Sequence, residues 1–380
     1  MRELYGDWRD LFRGFRIALD PRKITLAIGG IILSTAAVFL MPLAVLLILD
    51  ILRSWAGSGS DPMVMHIVRS GDLVRLVGEL WATIAIVSSK PAGFFLILSI
   101  VFMAEWFVWA YFGTAICRIA AVEVARDERI ELNEALRFSN AKYRSVFWSP
   151  IVVVAAITFF AACNMLAGLV ARCLPTGLGQ LLVSIPLVFA LFSGFLMAIL
   201  AVGLLFGCHF IMPTISAEGT DTFDVVSRSI SYLYARPWRF IWCRIVAAVY
   251  GVPCIAFAAL FAALSVYLGI SFGAKGLGRE AFGELHRFWM YGTLPSTSLG
   301  TGASVIYASW MYLMMLSVAG YAVSYLLTAD TIIYMVIRKA EDGTEMTEVY
   351  EEPSKEESTV VAAAATTGKP SKDAESEKKT

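Results

Sequence analysis

The sequence predicts an all-α membrane protein with six transmembrane helices, and three observations lead to this class. Hydrophobic residues make up 58% of the 380 residues and charged residues only 16%, whereas soluble globular domains are about 45–50% apolar and about 25% charged. Six separate apolar stretches are each long enough to cross a hydrocarbon core of roughly 30 Å as a helix. Lysine and arginine are concentrated in alternate connecting segments. Together these features disfavour a soluble enzyme, a secreted disulfide scaffold and a disordered regulator.

The six predicted spans form a transmembrane domain over residues 24–340. They cover residues 24–52, 91–117, 148–170, 185–212, 240–268 and 304–337. Several of these stretches are longer than the bilayer requires, so we expect tilted helices or helices that extend past the membrane. Proline does not fit inside a regular helix, so Pro42, Pro186 and Pro253 are expected to kink or begin their helices.

The distribution of lysine and arginine predicts the orientation in the membrane. One set of alternating connecting segments contains 18 basic residues and the other set contains 8. The basic set comprises residues 1–23, 118–147, 212–244 and 338–339, and the other set comprises residues 53–90, 171–178 and 269–303. Basic residues accumulate on the cytoplasmic side of multi-pass membrane proteins. We therefore expect a bacterial inner-membrane protein with both termini in the cytoplasm.

Three polar segments, each ahead of an odd-numbered span, are predicted to form amphipathic helices at the cytoplasmic membrane surface. The first is the N-terminal segment, residues 1–23. The proposed apolar stripes of the three segments are Leu4, Trp8, Leu11, Phe12 and Phe15, then Leu132, Ala135, Leu136 and Ser139, then Phe223, Val226, Ile230 and Leu233. The last segment, residues 341–380, is acidic and poor in large apolar residues, so we expect a disordered cytoplasmic tail.

The chain also aligns with itself, which predicts that one amphipathic helix and one transmembrane hairpin are used three times. At an offset of 94 residues, Trp148 aligns with Trp242 and residues 112–113 align with residues 206–207. Small residues recur in register in the even-numbered spans, and such residues let helix backbones approach closely in lipid. The candidate helix-packing residues are Gly113, Gly203, Gly207, Gly320 and Ser324. A ligand path lined by bare backbone is the alternative explanation.

Three segments are distinctive in sequence: RIAAVEVARDERI at residues 118–130, LNEALRFS at residues 132–139 and IYMVIRKAEDGTEMTEVY at residues 333–350. They resemble segments of a family of uncharacterised bacterial polytopic membrane proteins. The resemblance extends over most of residues 1–350 and implies a six-span architecture. It implies no activity, cofactor or catalytic residue.

Glu105 is the one acidic residue near the centre of a predicted span. A charge at this depth costs roughly 2.5–3.5 kcal/mol, so an ionisable residue there is a functional candidate. Its carboxyl group either locks helices together through hydrogen bonds or couples to a proton or cation. Asp330, His209 and Arg244 lie near the cytoplasmic ends of spans, where mutual pairing or snorkelling to the membrane surface explains them.

The sequence contains no convergent set of catalytic or metal-ligating residues, so we expect a non-catalytic protein without a cofactor or metal. The first of two function classes is a scaffold, assembly or membrane-organising module, which contacts the lipid bilayer and protein partners through its amphipathic helices. The second is a small-solute or ion transporter or channel that uses Glu105. Nucleic-acid binding has no support, because the basic residues are interleaved with acidic ones next to the bilayer.

Overall fold

The computed structural model describes residues 4–55, 78, 89–293, 295 and 297–351. These residues form helices and contain no strand, which confirms the all-α class. Within them, a 3-10 helix at Trp8–Arg13 precedes ten α-helices. The α-helices are α1 (Gly14–Ala18), α2 (Pro21–Trp55), α3 (Pro91–Arg126), α4 (Leu132–Arg172), α5 (Thr176–Ser184), α6 (Leu187–Glu218), α7 (Thr222–Ala235), α8 (Pro237–Leu277), α9 (Arg279–Tyr291) and α10 (Ser298–Asp342).

Six of the described helices, α2, α3, α4, α6, α8 and α10, are long and apolar enough to cross a membrane. Each contains one predicted span, so the six-span prediction is confirmed and the chain is a multi-pass membrane protein. The fourth span starts two residues later than predicted, because Pro186 occupies the N-cap position and α6 begins at Leu187. Pro42 and Pro253 lie inside α2 and α8.

The six spanning helices form one bundle, in which α3 and α10 each pack against four of the others. Helices α3, α6 and α10 pack against one another, while α2 packs against both α3 and α10, and α4 packs against both α3 and α6. Helix α8 packs along α10. Successive spans run in opposite directions, so α2, α4 and α8 begin at the end of the bundle where α3, α6 and α10 finish. We call this end the base and the opposite end the distal end.

The hydrophobic core lies at the base. Helices α3, α6 and α10 continue beyond the predicted spans, to Arg126, Glu218 and Asp342. Every residue of α10 from Thr328 to Arg338 is buried, as expected for a helix surrounded by other elements. These helices thus continue past the predicted spans, because hydropathy identifies the apolar part of a helix and not a continuation whose charged residues are paired inside the protein.

The first two polar segments differ from the predicted surface helices. The N-terminal segment forms the 3-10 helix and the short α1, with Leu11 and Ile17 buried but Trp8 and Phe12 exposed. The predicted stripe of residues 4–15 is therefore only partly right, because Leu4, Leu11 and Phe15 pack against the core, whereas Trp8 and Phe12 do not. The segment packs into the bundle against α10. The second segment is not a separate helix, since α4 runs without a break from Leu132 into the third span.

The third polar segment is a separate helix, α7, and its inward face matches the predicted stripe in part: Leu233 is buried, and Val226 and Ile230 are half-buried. Its buried residues are Val225, Ser229, Tyr232 and Leu233, whereas Phe223 is exposed. Polar contacts made by the buried serine and tyrosine orient α7, and an apolar stripe cannot reveal such contacts. Because the three polar segments have three different structures, the threefold repeat stays a prediction.

The predicted disordered tail begins too early. Residues 341 and 342 belong to α10, and Met346 and Val349 of the following segment are buried in the base. We call residues 343–351 the C-terminal strap. The remainder of the predicted tail, residues 352–380, lies outside the described residues.

The distal end carries an amphipathic helix, α9, in a stretch to which the sequence analysis assigned no element. The ring of Phe282 contacts that of Tyr307, and the ring of Trp289 contacts that of Tyr312, with a centroid distance of 4.6 Å for the second pair. Both contacts attach α9 to α10. Helix α9 ends at Gly292, which adopts the left-handed conformation that glycine favours.

Candidate functional site

Glu105 links α2 to α3 in the middle of the bundle. Its Oε2 atom accepts a hydrogen bond from the hydroxyl of Ser34 on α2. The same atom accepts a hydrogen bond of 3.0 Å from Nε1 of Trp109, one turn along α3. Of the two interpretations of this residue, the observed hydrogen bonds match the one in which the carboxyl group locks two helices together.

A buried ion pair joins the same two helices at the base. Nζ of Lys23 lies 2.9 Å from Oε2 of Glu123, and the two side chains are 0% and 6% exposed. Removing two charges from water is unfavourable, and a close pair with good geometry offsets much of that cost. The sequence analysis missed this pair. The only available signal was the run at residues 119–125, which is apolar except for Glu123 and therefore continues the helix.

Asp330 on α10 holds the neighbouring helices α6 and α8. One carboxylate oxygen contacts the guanidinium group of Arg244 on α8, and the other lies 3.3 Å from Nδ1 of His209 on α6. These are the three residues for which mutual pairing was one of two expectations, and the structure brings them together. Asp330 is thus a single buried carboxylate that connects three helices.

A second cluster missed from the sequence surrounds Glu218 at the end of α6. Its carboxylate accepts a hydrogen bond from the hydroxyl of Tyr334 on α10 and lies 2.6 Å from Nη1 of Arg228 on α7. The guanidinium group of Arg338 lies 3.8 Å away. The cluster fixes α7 against the end of α10. Arg228 is ten residues from Glu218 in the chain, which is not a helical spacing, so pattern analysis could not pair them.

Tyr232 provides another contact between α7 and α10. Its hydroxyl group donates a hydrogen bond to the carboxylate of Asp342 in the last turn of α10. Burial of the phenol and this hydrogen bond raise the pKa of Tyr232. The phenol therefore stays protonated and keeps its role as a donor.

The C-terminal strap closes the base. The backbone N–H of Tyr350 donates to the carbonyl of Ala217 at 2.7 Å, and Arg118 donates to the carbonyl of Tyr350 at 2.7 Å. Arg338 donates to the carbonyl oxygens of Glu345 and Glu348. The strap thus supplies backbone carbonyl acceptors to the buried guanidinium groups of Arg118 and Arg338. A buried charged donor without such an acceptor would be destabilising.

Two of the predicted helix-packing residues lie where α10 meets the N-terminal elements. A Cβ atom on Gly320 would lie 3.1 Å from the backbone oxygen of Ile24, which cannot move aside easily. Ser324, one turn further along α10, donates a hydrogen bond of 2.9 Å to the carbonyl of Ala18. Both residues allow α10 to approach the N-terminal elements closely.

The other three predicted packing residues face different neighbours. A Cβ atom on Gly113 would lie 2.6 Å from the sulfur of Met212 on α6. One on Gly203 would lie 3.3 Å from Ile230 on α7, and Gly207 faces the same helix. These glycines contact protein side chains and backbone, so they do not line a continuous path of bare backbone.

The polar residues of the described chain act mainly as connectors between helices. The carboxylates of Glu105, Glu123, Glu218, Asp330 and Asp342 are held by lysine, arginine, histidine, tyrosine or tryptophan side chains from other turns or other helices. Among the described residues, no group of three or more histidine, cysteine, aspartate or glutamate side chains could hold a metal ion. No family model, curated protein or solved structure matches this chain.

Proposed function

We propose that the protein is a non-catalytic membrane scaffold, an assembly or membrane-organising module whose base presents a rigid surface to partners. The observation that carries this proposal is the environment of Glu105. Ser34 and Trp109 both donate to Oε2 of its carboxyl group within one helical hairpin. A polar residue that is engaged in this way strengthens helix association. Both donors come from the two helices that this carboxyl group joins, which favours a structural role for it.

A second hydrogen-bonded pair within the spans supports the same role for polar groups. Nδ2 of Asn164 on α4 donates to the hydroxyl of Ser193 on α6 at 2.8 Å. This contact connects the second hairpin as the Glu105 contact connects the first. In both hairpins, hydrogen bonds between polar side chains hold two helices together, as we expect for a rigid scaffold.

The base is the surface that we propose for contacts with the lipid bilayer and with membrane or cytoplasmic protein partners. Large apolar side chains remain exposed there, including Trp238, which is 82% exposed, and Phe223. The segments with family resemblance, residues 118–130, 132–139 and 333–350, all lie at this end of the bundle or lead away from it. The basic residues of the connecting segments favour a cytoplasmic position for the base in a bacterial inner membrane.

The alternative is a transporter or channel in which Glu105 carries a proton or cation, and substitution by glutamine separates the two. Glutamine keeps an acceptor for Ser34 and Trp109 but cannot ionise. For a scaffold, Glu105→Gln should complement a strain that lacks the gene and should unfold in detergent at the same temperature as the natural protein. A Glu105→Gln protein that is fully folded and yet fails to complement would move transport to the leading position.

A further inference from the structure

An apolar groove runs along the outside of the bundle between α8 and α10. Its volume is about 630 Å³. The floor consists of alanines from both helices, including Ala259, Ala262 and Ala319, and the wall on α10 includes Met311 and Met315. The small side chains of the floor leave the space open.

Both ends of this groove are closed by the protein. Toward the base, α8 and α10 converge at Gly251, where a Cβ atom would lie only 2.3 Å from the ring of Tyr325. The hydroxyl of Tyr325 also donates to the carbonyl of Ala247 at 2.8 Å. Toward the distal end, Trp289 of α9 lines the groove and contacts the ring of Tyr312. The groove is therefore a pocket of limited length that opens sideways.

The length of the groove corresponds to one leaflet of a bilayer. Its lining on α10 runs from Met311 to Ala322, which is about 16 Å at a rise of 1.5 Å per residue. Half of a hydrocarbon core of roughly 30 Å is about 15 Å. The groove occupies the distal half of the two predicted spans, residues 240–268 and 304–337, and the amphipathic α9 contacts α10 at the distal end of the groove.

We propose that this groove binds one acyl chain of a phospholipid from the distal leaflet. An acyl chain of that leaflet is about as long as the groove and is apolar throughout. It also ends within the membrane, as the groove does. A partner transmembrane helix, or a second copy of this chain, has to continue across the whole bilayer. The convergence at Gly251 and the position of Trp289 obstruct such a helix at both ends. Methionine side chains adapt to a flexible occupant of this kind.

Attraction between the groove and the chain does not arise from the hydrophobic effect, because the surrounding lipid is equally apolar. It arises from close packing on three sides of the chain, which bulk lipid does not provide. The bound lipid should therefore exchange more slowly than its neighbours and survive a detergent wash that removes them.

Site-specific photocrosslinking tests this proposal. The photoreactive residue p-benzoyl-phenylalanine replaces Met315 on the groove wall in one protein and Leu264 in another. Leu264 is an exposed residue outside the groove lining. It lies 27 residues from the base end of α8, as Met315 does from the base end of α10. Both proteins are purified in washed detergent, irradiated and weighed intact by mass spectrometry. We expect a phospholipid adduct at position 315 and only detergent adducts at position 264.

A second pair of variants fills the groove. In the protein labelled at position 315, Ala262→Phe should abolish the phospholipid adduct, whereas Ala256→Phe, at an exposed position outside the groove lining, should preserve it. Three results would overturn the proposal: the absence of a phospholipid adduct at position 315, its persistence in a folded Ala262→Phe protein, or a covalent protein–protein product at position 315. The last result would identify the occupant as a helix. The first comparison remains decisive if Ala262→Phe does not fold.

Discussion

Lys23 and Glu123 show how individual residues at the base accommodate charge. Both are enclosed by protein, whereas Arg16 and Asp127, a second pair between the N-terminal segment and α3, are 56% and 55% exposed. An exposed pair contributes little, because water screens the charges and holding two long side chains costs entropy. A buried pair matters more, because removal of one partner leaves the other charge without compensation.

We predict that Lys23→Met lowers the free energy of unfolding by about 3–5 kcal/mol, because Glu123 then remains buried and unpaired. The double variant Lys23→Met with Glu123→Leu should regain most of that loss, since both charges are gone. Arg16→Met serves as the control and should change stability by less than about 1 kcal/mol. Unfolding of the purified proteins in detergent measures all three effects. If the double variant were no more stable than Lys23→Met, an unpaired Glu123 would not be the cause of the lost stability.

At the residue scale, the sequence revealed a functional candidate when its place within a predicted span was itself unusual. Glu105 was found because an acidic side chain in the middle of an apolar span is conspicuous. The pair of Lys23 and Glu123 was not found, because 100 residues separate its members. A charged residue next to a span has the same sequence appearance whether it faces water or a buried partner.

At the scale of elements, the close approach of α10 to the N-terminal helix α2 depends on Gly320. A methyl group at this position would meet the backbone oxygen of Ile24 and the side chain of Ile28. The neighbouring backbone belongs to a long helix and has little freedom to move. At Gly113, by contrast, the nearest obstacle is the flexible end of Met212.

We predict that Gly320→Ala lowers the free energy of unfolding by about 1–3 kcal/mol, the usual cost of overpacking. Gly194 lies in α6 with open space around its Cα, so Gly194→Ala should be neutral or stabilising by up to about 1 kcal/mol, because alanine favours helix. Gly113→Ala should fall between the two. Equal melting temperatures for the variants at positions 320 and 194 would show that the approach of α10 to α2 is not tight.

The strap is an element without regular secondary structure, and its contribution comes from what it covers. It buries Met346 and supplies carbonyl acceptors to Arg118 and Arg338. Without it, Arg118 and Arg338 would lose these carbonyl acceptors, and Met346 would lose its burial.

We predict that a chain ending at Gly343 is less stable than one ending at Glu351 by about 2–5 kcal/mol. Both chains lack residues 352–380, so the difference between them reports on the strap alone. The comparison requires only melting curves of the two truncated proteins in the same detergent. If the two curves coincide, the strap is not a structural part of the base.

Element boundaries and helix faces were only partly predictable. Hydropathy located the spans because apolar composition is a local property of the chain. The inward face of α7 was only partly predicted, because Ser229 and Tyr232 are buried by polar contacts whose partners lie on α6 and α10. The additional helix α9 shows apolar residues at a helical spacing, namely Phe282, Leu285 and Trp289, and a search for that spacing would have found it.

The whole molecule divides into two zones with different surroundings. The middle of the bundle exposes apolar faces, as a lipid solvent permits, whereas the base has a dense interior with paired charges. Composition predicted the first zone and the number of spans. It could not predict the second, since the base is made from segments that are distant in sequence and unremarkable one at a time.

We predict that the base faces the cytoplasm, and the natural cysteine at the distal end of α4 allows a direct test. Cys173 is exposed, so a membrane-impermeant maleimide should label it in intact cells, and Cys173→Ser should abolish the labelling. In that background, Lys275→Cys at the distal end should restore it. Asn140→Cys at the base should react only after the membrane is opened. Labelling at position 140 in intact cells would reverse the proposed orientation.

The central position of α10 at the base has a consequence for biosynthesis. Ribosomes extend a chain by about 5–20 residues per second, so synthesis of 380 residues takes about 20–80 s. Of the six spanning helices, α10 is the last to leave the ribosome. Until then, Arg244 and His209 lack their partner Asp330, and the faces of α2, α3, α6 and α8 that contact α10 are uncovered. A prematurely terminated chain therefore exposes unpaired cations and apolar surface, which are the features that membrane quality-control proteases recognise.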